Sequence, residues 1–141
     1  MLIDQTDLAR GMSWEFTNEV YDITTTESFA KGDFLFREGD HAKYFYVLLD
    51  GRVRLSMGET GQVVYIVDRP GEAFGWSSLV GREVYSASAE CVLASKLLRI
   101  DKDELEKILE RKPADGMTFF RRLAGILGER LLSIYDTLGL G

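Results

Sequence analysis

The chain of 141 residues is long enough for one domain with a substantial hydrophobic core, and its composition is that of an ordinary globular protein. Its net charge of -6 at pH 7 argues against a broad nucleic-acid surface, because such a surface requires a basic face. With one cysteine and one histidine, it forms neither an intramolecular disulfide nor a metal site that needs several histidines.

The N-terminal segment, residues 1–23, is predicted to be helical. Leu8, Met12, Phe16 and Val20 recur at four-residue spacing, which places them on one face of a helix. Charged residues interrupt the segment, so it predicts neither a signal peptide nor a membrane-spanning helix. Because a lone cysteine also suits a reducing compartment, we expect a cytoplasmic protein that does not associate with membranes.

Residues 24–100 are predicted to form strands. Apolar and polar residues alternate over residues 52–57, which is typical of a half-buried strand, and a turn separates them from a hairpin partner at residues 62–67. The continuously apolar residues 44–49 predict a strand that is buried on both faces, and residues 92–100 predict the last long strand. Many short strands with regularly spaced turns favour a jelly roll.

Residues 101–141 are predicted to form a short helix and a long one. Asp101 is in position to cap the short helix, which Pro113 ends, and Asp115 is expected to cap the long helix. The long helix carries one apolar stripe at spacings of three or four residues, for which we expect a dimer interface. The stripe consists of Phe120, Leu123, Leu127, Leu131, Ile134 and Leu138.

Single glycines punctuate the strand region in a recurring arrangement. Gly32, Gly39 and Gly51 stand at turns, and the sequence Pro-Gly-Glu-Ala-Phe-Gly occupies residues 70–75 ahead of a compact loop. Together with the two C-terminal helices, this arrangement resembles the cyclic nucleotide-binding domain family, the sensory half of Crp/Fnr-type regulators. The resemblance implies a mainly β fold with flanking helices: a double-stranded β-helix (jelly roll) followed by a short helix and a long C-terminal helix, in one domain spanning residues 1–141.

In that family a phosphate-binding cassette follows the Phe-Gly pair, and a short helix there presents its N-terminal amides to the cyclic phosphate. The resemblance places the cassette at residues 75–87 and implies a site for a cyclic nucleotide or another small ligand. The implied ligand-binding residues are Phe74, Gly75, Trp76, Ser77, Ser78, Leu79, Arg82, Tyr85, Ser86 and Ala87.

Two cassette positions depart from the family pattern. Trp76 replaces the carboxylate that binds the ribose hydroxyl, and Tyr85 replaces the arginine that pairs with the phosphate. A charge-assisted bond of this kind contributes roughly 1.5–3 kcal/mol, so its loss weakens nucleotide binding. Arg82, three positions earlier, is a candidate substitute. The two aromatic residues either line the pocket and stack on a planar ligand, or fill the space of the nucleotide.

The sequence therefore predicts a stand-alone, non-enzymatic sensor domain that binds a small ligand and relays binding through a dimerising C-terminal helix. The alternative is a ligand-free dimerisation and docking module whose pocket is filled by Trp76 and Tyr85. Both interpretations include a homodimer and a protein partner. Regulators of transcription in this family continue into a helix-turn-helix domain, whereas this sequence ends at Gly141, so we expect no direct DNA binding.

Overall fold

Eight antiparallel strands form two four-stranded sheets in the computed structural model, which describes residues 11–139. The strands are β1 (Thr24–Phe29), β2 (Phe34–Phe36), β3 (Tyr44–Asp50), β4 (Val53–Met57), β5 (Gln62–Val67), β6 (Ala73–Phe74), β7 (Ser88–Cys91) and β8 (Ser95–Asp101). One sheet has the order β1-β8-β3-β6 and the other β2-β7-β4-β5. The predicted jelly-roll fold is confirmed.

Helices flank the sheets at both ends of the chain. They are α1 (Trp14–Ile23), α2 (Lys102–Arg111) and α3 (Pro113–Thr137), and a one-turn 3₁₀ helix (Trp76–Leu79) follows β6. Asp101 caps α2 as predicted, because its carboxylate accepts hydrogen bonds from the amides of Asp103 and Glu104 at 2.9 and 3.1 Å. Within residues 11–139, no helix combines the length and apolarity needed to cross a membrane.

The N-terminal helix packs against α3 through its predicted apolar face. Phe16 and Val20 are buried there, and Met12 packs against the same core, whereas Leu8 lies outside the described residues. The Phe16 ring lies 6.3 Å from that of Phe119 on α3, centroid to centroid. The prediction of an amphipathic helix is therefore confirmed for residues 14–23, whereas residues 11–13 precede the helix, because Ser13 is its N-cap.

The start of α3 differs from the prediction. The helix begins at Pro113, with Lys112 in the N-cap position and no side-chain cap, so the expected cap at Asp115 is wrong. Proline suits the first turn because its missing amide hydrogen has no helical acceptor there. Asp115 instead accepts hydrogen bonds from the amide and hydroxyl of Ser13 at 3.0 and 2.8 Å, which ties the start of α1 to α3.

The last strand also begins later than the predicted residue 92. The amide of Val92 donates to the carbonyl of Arg52 at 3.0 Å, and the Ser95 hydroxyl donates to the carbonyl of Leu93 at 2.8 Å. These bonds turn the chain over residues 92–94, and β8 starts only at Ser95. Apolarity alone did not distinguish this turn from the strand that follows.

The two faces of β3 contribute to two different cores. Phe45 and Val47 belong to the helix-side core, which α1, α2 and α3 cover, whereas Tyr46 and Leu48 belong to the barrel core between the sheets. All four side chains are buried. This confirms the prediction of a strand buried on both faces and explains why its sequence does not alternate.

The single cysteine and the single histidine lie in different environments. Cys91, on β7, is fully buried in the barrel core, and burial raises the pKa of its thiol. His41 is exposed in the turn that precedes β3, where it forms an isolated bridge with Val84. A free buried cysteine of this kind behaves as a small hydrophobe.

Candidate ligand-binding cassette

The cassette begins with a glycine whose backbone no other residue adopts easily. Gly75 has φ of +81°, and a Cβ atom there would lie 3.2 Å from the carbonyl oxygen of Tyr44 and 3.3 Å from the Tyr46 ring. The chain then forms the 3₁₀ turn, in which the Ser78 hydroxyl donates to the carbonyl of Gly75 at 2.9 Å. This loop therefore turns tightly against the edge of β3, next to the end of β6.

Tyr85 fills the space inside the cassette. Its side chain is only 4% exposed, and its ring stacks on that of Phe36 with centroids 3.7 Å apart and planes 12° from parallel. The backbone of Tyr85 is also fixed, because its amide donates to the carbonyl of Asp40 and its carbonyl accepts from the amide of Gly39, both at 2.9 Å. The position of the ring is therefore fixed both by the backbone hydrogen bonds of Tyr85 and by stacking on Phe36.

The phenol of Tyr85 completes the hydrogen bonding of β3. It donates to the carbonyl of Tyr44 at 2.6 Å and accepts from the amide of the same residue at 3.0 Å. Because β6 pairs only with Tyr46 and Val47, the phenol takes the place of a strand partner at Tyr44. Burial raises the pKa of Tyr85 to about 12, so the phenol stays neutral and retains its proton for this bond.

The space left in the cassette is small. A cavity of about 30 Å³ remains between the loop and the strands, with walls that include Phe36, Leu55, Trp76 and Tyr85. Pockets for small ligands are roughly 300–1,000 Å³, whereas a cavity of this size accommodates a water molecule. In this conformation the cassette therefore has no room for a cyclic nucleotide.

Six of the ten predicted ligand-binding residues line this cavity, and four do not. Those that line it are Gly75, Trp76, Ser77, Tyr85, Ser86 and Ala87, and the hydroxyls of Ser77 and Ser86 lie 3.5 Å apart. Phe74 is buried in the barrel core, Leu79 in the helix-side core, and the Ser78 hydroxyl is bonded to its own turn. Arg82 is exposed on the loop outside the cavity.

Sequence reasoning missed the contributions of distant strands to the cassette. Phe36 on β2 provides the stacking surface for Tyr85, and Leu55 on β4 closes the cavity wall. Both lie on strands, and the apolar alternation of β4 identifies Leu55 as inward-facing. The pairing of Phe36 with Tyr85 has no local signal, because 48 residues separate them in the chain.

The family model for the cyclic nucleotide-binding domain matches residues 26–112, which is more than half of the chain. The chain belongs to the cyclic nucleotide-binding domain family. The domain that defines this family is regulatory and has no catalytic activity of its own.

Relatives support the same assignment. The chain is 25% identical over 135 residues to the mouse (Mus musculus) cyclic nucleotide-gated channel beta-3, a match that covers 92% of this chain and 19% of the channel. The chain therefore spans about a fifth of the length of that relative.

Among solved structures, the catabolite activator protein of Thermus thermophilus is similar with a TM-score of 0.75 and 26% identity, over 96% of this chain and 62% of that one. A Geobacter metallireducens GS-15 protein assigned to the cyclic nucleotide-binding proteins has a TM-score of 0.79 and 27% identity, over 88% and 91% of the two chains.

A second polar cluster fastens α3 next to the start of the cassette. Arg130 donates to the carbonyl of Ala73 on β6, and its guanidinium lies 4.6 Å from the ring centroid of Tyr65. The Tyr65 phenol in turn donates to the buried carboxylate of Glu72 at 2.6 Å. Arg130 thus links the long helix directly to the strand that precedes Gly75.

The Glu72 carboxylate in this cluster is ionised despite its burial. Burial alone raises its pKa, but the hydrogen bond from Tyr65, the amides of Arg69 and Asp68, and the charge of Arg130 together outweigh that effect. The pKa of Glu72 is therefore lower than that of an ordinary glutamate. The cluster keeps a charge inside the fold by surrounding it with donors.

The predicted dimer stripe on α3 is divided by the fold. Leu123 is buried in the helix-side core of the same chain, and Leu127 packs partly against that core. Beyond them, Leu131 and Leu138 are 47% and 65% exposed. The second half of α3 therefore presents apolar side chains that the rest of residues 11–139 covers only in part.

Proposed function

We propose that this chain is a regulatory docking and dimerisation module that works without bound nucleotide, its cassette being closed by its own Tyr85. The observation that supports the proposal is that the Tyr85 side chain makes two kinds of contact. Its ring occupies the cassette against Phe36, and its phenol bonds the backbone of Tyr44. A bound nucleotide requires both contacts to break.

The energetic cost of opening the cassette follows from these contacts. An aromatic pair contributes roughly 0.5–1.5 kcal/mol and each net hydrogen bond roughly 0.5–1.5 kcal/mol, so displacing Tyr85 costs about 1.5–4.5 kcal/mol. That cost alone lowers the apparent affinity for a nucleotide by about one to three decades. The missing phosphate-binding arginine lowers it further, since Arg82 lies outside the cavity.

A ligand sensor is the second candidate, supported by the backbone of the cassette. The positive φ of Gly75 and the 3₁₀ turn after it are retained, and the cavity keeps the hydroxyls of Ser77 and Ser86. On this hypothesis a ligand displaces Tyr85 and changes the position of α3 through Arg130. The two candidates differ in whether cyclic nucleotides stabilise the unmodified chain.

The test measures the thermal midpoint with and without saturating cyclic AMP and cyclic GMP. A ligand at a hundred times its Kd adds about 2.7 kcal/mol, which raises the midpoint of a chain this size by roughly 5–10 °C. We expect no shift for the unmodified chain. We expect a shift for the folded double variant Trp76→Glu, Tyr85→Arg, which restores the family's ribose and phosphate partners. A shift of the unmodified chain would favour the sensor and overturn this proposal.

The dimerisation part of the proposal concerns the second half of α3. Leu131, Ile134 and Leu138 follow one another at spacings of three and four residues, as in the seam of a coiled coil. We expect a homodimer in sedimentation equilibrium that Leu131→Glu dissociates. The matched control is Leu132→Glu, at a neighbouring position that is 61% exposed but lies off this seam. Equal effects of the two variants, or a monomeric unmodified chain, would contradict the predicted seam.

A further inference from the structure

An apolar concavity near the cassette lies between α2 and α3. Its floor is formed by Leu79, Leu109 and Gly116, which are buried, and one wall by Met117 and Phe120, which are exposed. We call it the α2–α3 groove. It is open to solvent and has a volume of about 470 Å³, within the range of roughly 300–1,000 Å³ that binding pockets have.

We propose that the α2–α3 groove binds an amphipathic helix of a partner protein, and that lysine or arginine side chains flank the apolar face of that helix. The inference deepens the docking role proposed above and rests on it. It names a surface and a partner class that the cassette and the dimer seam do not involve.

The rim of the groove determines the charge of its partner. Glu106 and Glu110 lie one turn apart on α2 and line the groove on the side opposite Met117. Neither glutamate forms an ion pair with another residue in the range 11–139. Two carboxylates that have no ion-pair partner among residues 11–139, beside an apolar floor, favour a partner that supplies basic residues one turn apart.

The backbone around the groove determines the conformation of the partner. The segments that form it are the second half of α2, the first half of α3 and the end of the 3₁₀ turn, and none of them is a strand. An extended peptide would find no strand edge to pair with, and burial would leave its own backbone groups without partners. A helix satisfies its own backbone and presents only side chains, and Met117 adapts its flexible side chain to them.

A second copy of this chain lacks the right charge. The exposed apolar part of its α3 is flanked by the acidic side chains Glu129 and Asp136, which would face Glu106 and Glu110 across the groove. Helix α1 is acidic as well, with Glu15 in its first turn. The net charge of -6 acts in the same direction. The partner is therefore a different chain.

The experiment selects binders from a displayed library of helices with one randomised face, using the full chain as target. We expect selected helices to carry apolar residues at i, i+3 or i+4 and i+7 flanked by lysine or arginine, and to lose binding to Met117→Lys. The variant Glu106→Gln, Glu110→Gln should weaken them about two- to thirty-fold at low salt, as expected for two solvent-exposed ion pairs. The control Glu59→Gln, Glu83→Gln removes the same charge from exposed sites elsewhere and should leave the affinity of the selected helices unchanged.

Three results would overturn the inference: no enriched helices, enriched helices that are neutral or acidic, or binding that survives Met117→Lys. Dissociation of a homodimer by Met117→Lys in sedimentation equilibrium would instead identify a second copy as the occupant, and would also overturn it. The nucleotide titration is independent of these results. A chain that binds cyclic AMP and still selects basic helices would contradict the closed cassette while supporting the groove.

Discussion

The contribution of the Tyr85 phenol can be isolated with the variant Tyr85→Phe. This change keeps the ring that stacks on Phe36 and removes the hydroxyl that bonds both backbone groups of Tyr44. Those groups lie beyond the end of β6, so no strand replaces the lost partner. An unsatisfied polar group costs roughly 1–3 kcal/mol when buried, and Tyr44 is half-buried, so we expect a loss of about 1–3 kcal/mol in total.

The assay is thermal unfolding, with circular dichroism as the signal. A loss of 1–3 kcal/mol lowers the thermal midpoint by roughly 2–12 °C for a chain of this size. The matched control is Tyr135→Phe, because Tyr135 is exposed on α3, and it should change the free energy of unfolding by less than about 0.5 kcal/mol. If Tyr85→Phe were as stable as the control, the phenol would not be a strand partner, and the estimated cost of opening the cassette would be too high.

Two further predictions concern the cluster that fastens α3. Arg130→Met removes the bond to the Ala73 carbonyl and the contact with Tyr65, so we expect faster hydrogen exchange over the second half of α3, whereas the exposed control Arg121→Met should leave it unchanged. The lowered pKa of Glu72 stabilises the fold above the pKa of an unfolded glutamate, and this contribution is lost as pH falls through the folded value. We therefore expect Glu72→Gln to be less stable than the unmodified chain at pH 7, with a smaller difference near pH 3, and a constant difference would contradict the charge-based account.

A helix or strand of this fold is predictable from the sequence where its own consecutive residues determine it, and is not where distant residues do. Alternation of apolar and polar residues identified β4, and the continuous apolar run identified β3, because the order of consecutive residues shows whether one face or both faces of a strand are buried. The predicted start of β8 was wrong because hydrogen bonds to Arg52, which is distant in the chain, form the turn over residues 92–94. The predicted start of α3 was wrong because the Asp115 carboxylate accepts hydrogen bonds from Ser13, which is distant in the chain, and does not cap the helix.

The same distinction applies to the cassette. Its position followed from the glycine turn at Gly75, and the replacement of two family side chains was visible in the sequence. Whether Tyr85 lines the pocket or fills it was not, because the outcome depends on the ring of Phe36 and on where β6 ends beside Tyr44. These are tertiary facts that no spacing within residues 75–87 encodes.

The buried thiol of Cys91 gives the chain an internal reporter of its own unfolding. The side chain is fully inaccessible, and its amide and carbonyl are bonded to the backbone of Asp33 and Gly32 at 2.8 and 2.7 Å. A thiol reagent therefore reacts only after β7 separates from its neighbours, and the labelling rate measures how often that separation occurs. Since the chain has one cysteine, every variant described above can be ranked by this rate without adding a probe.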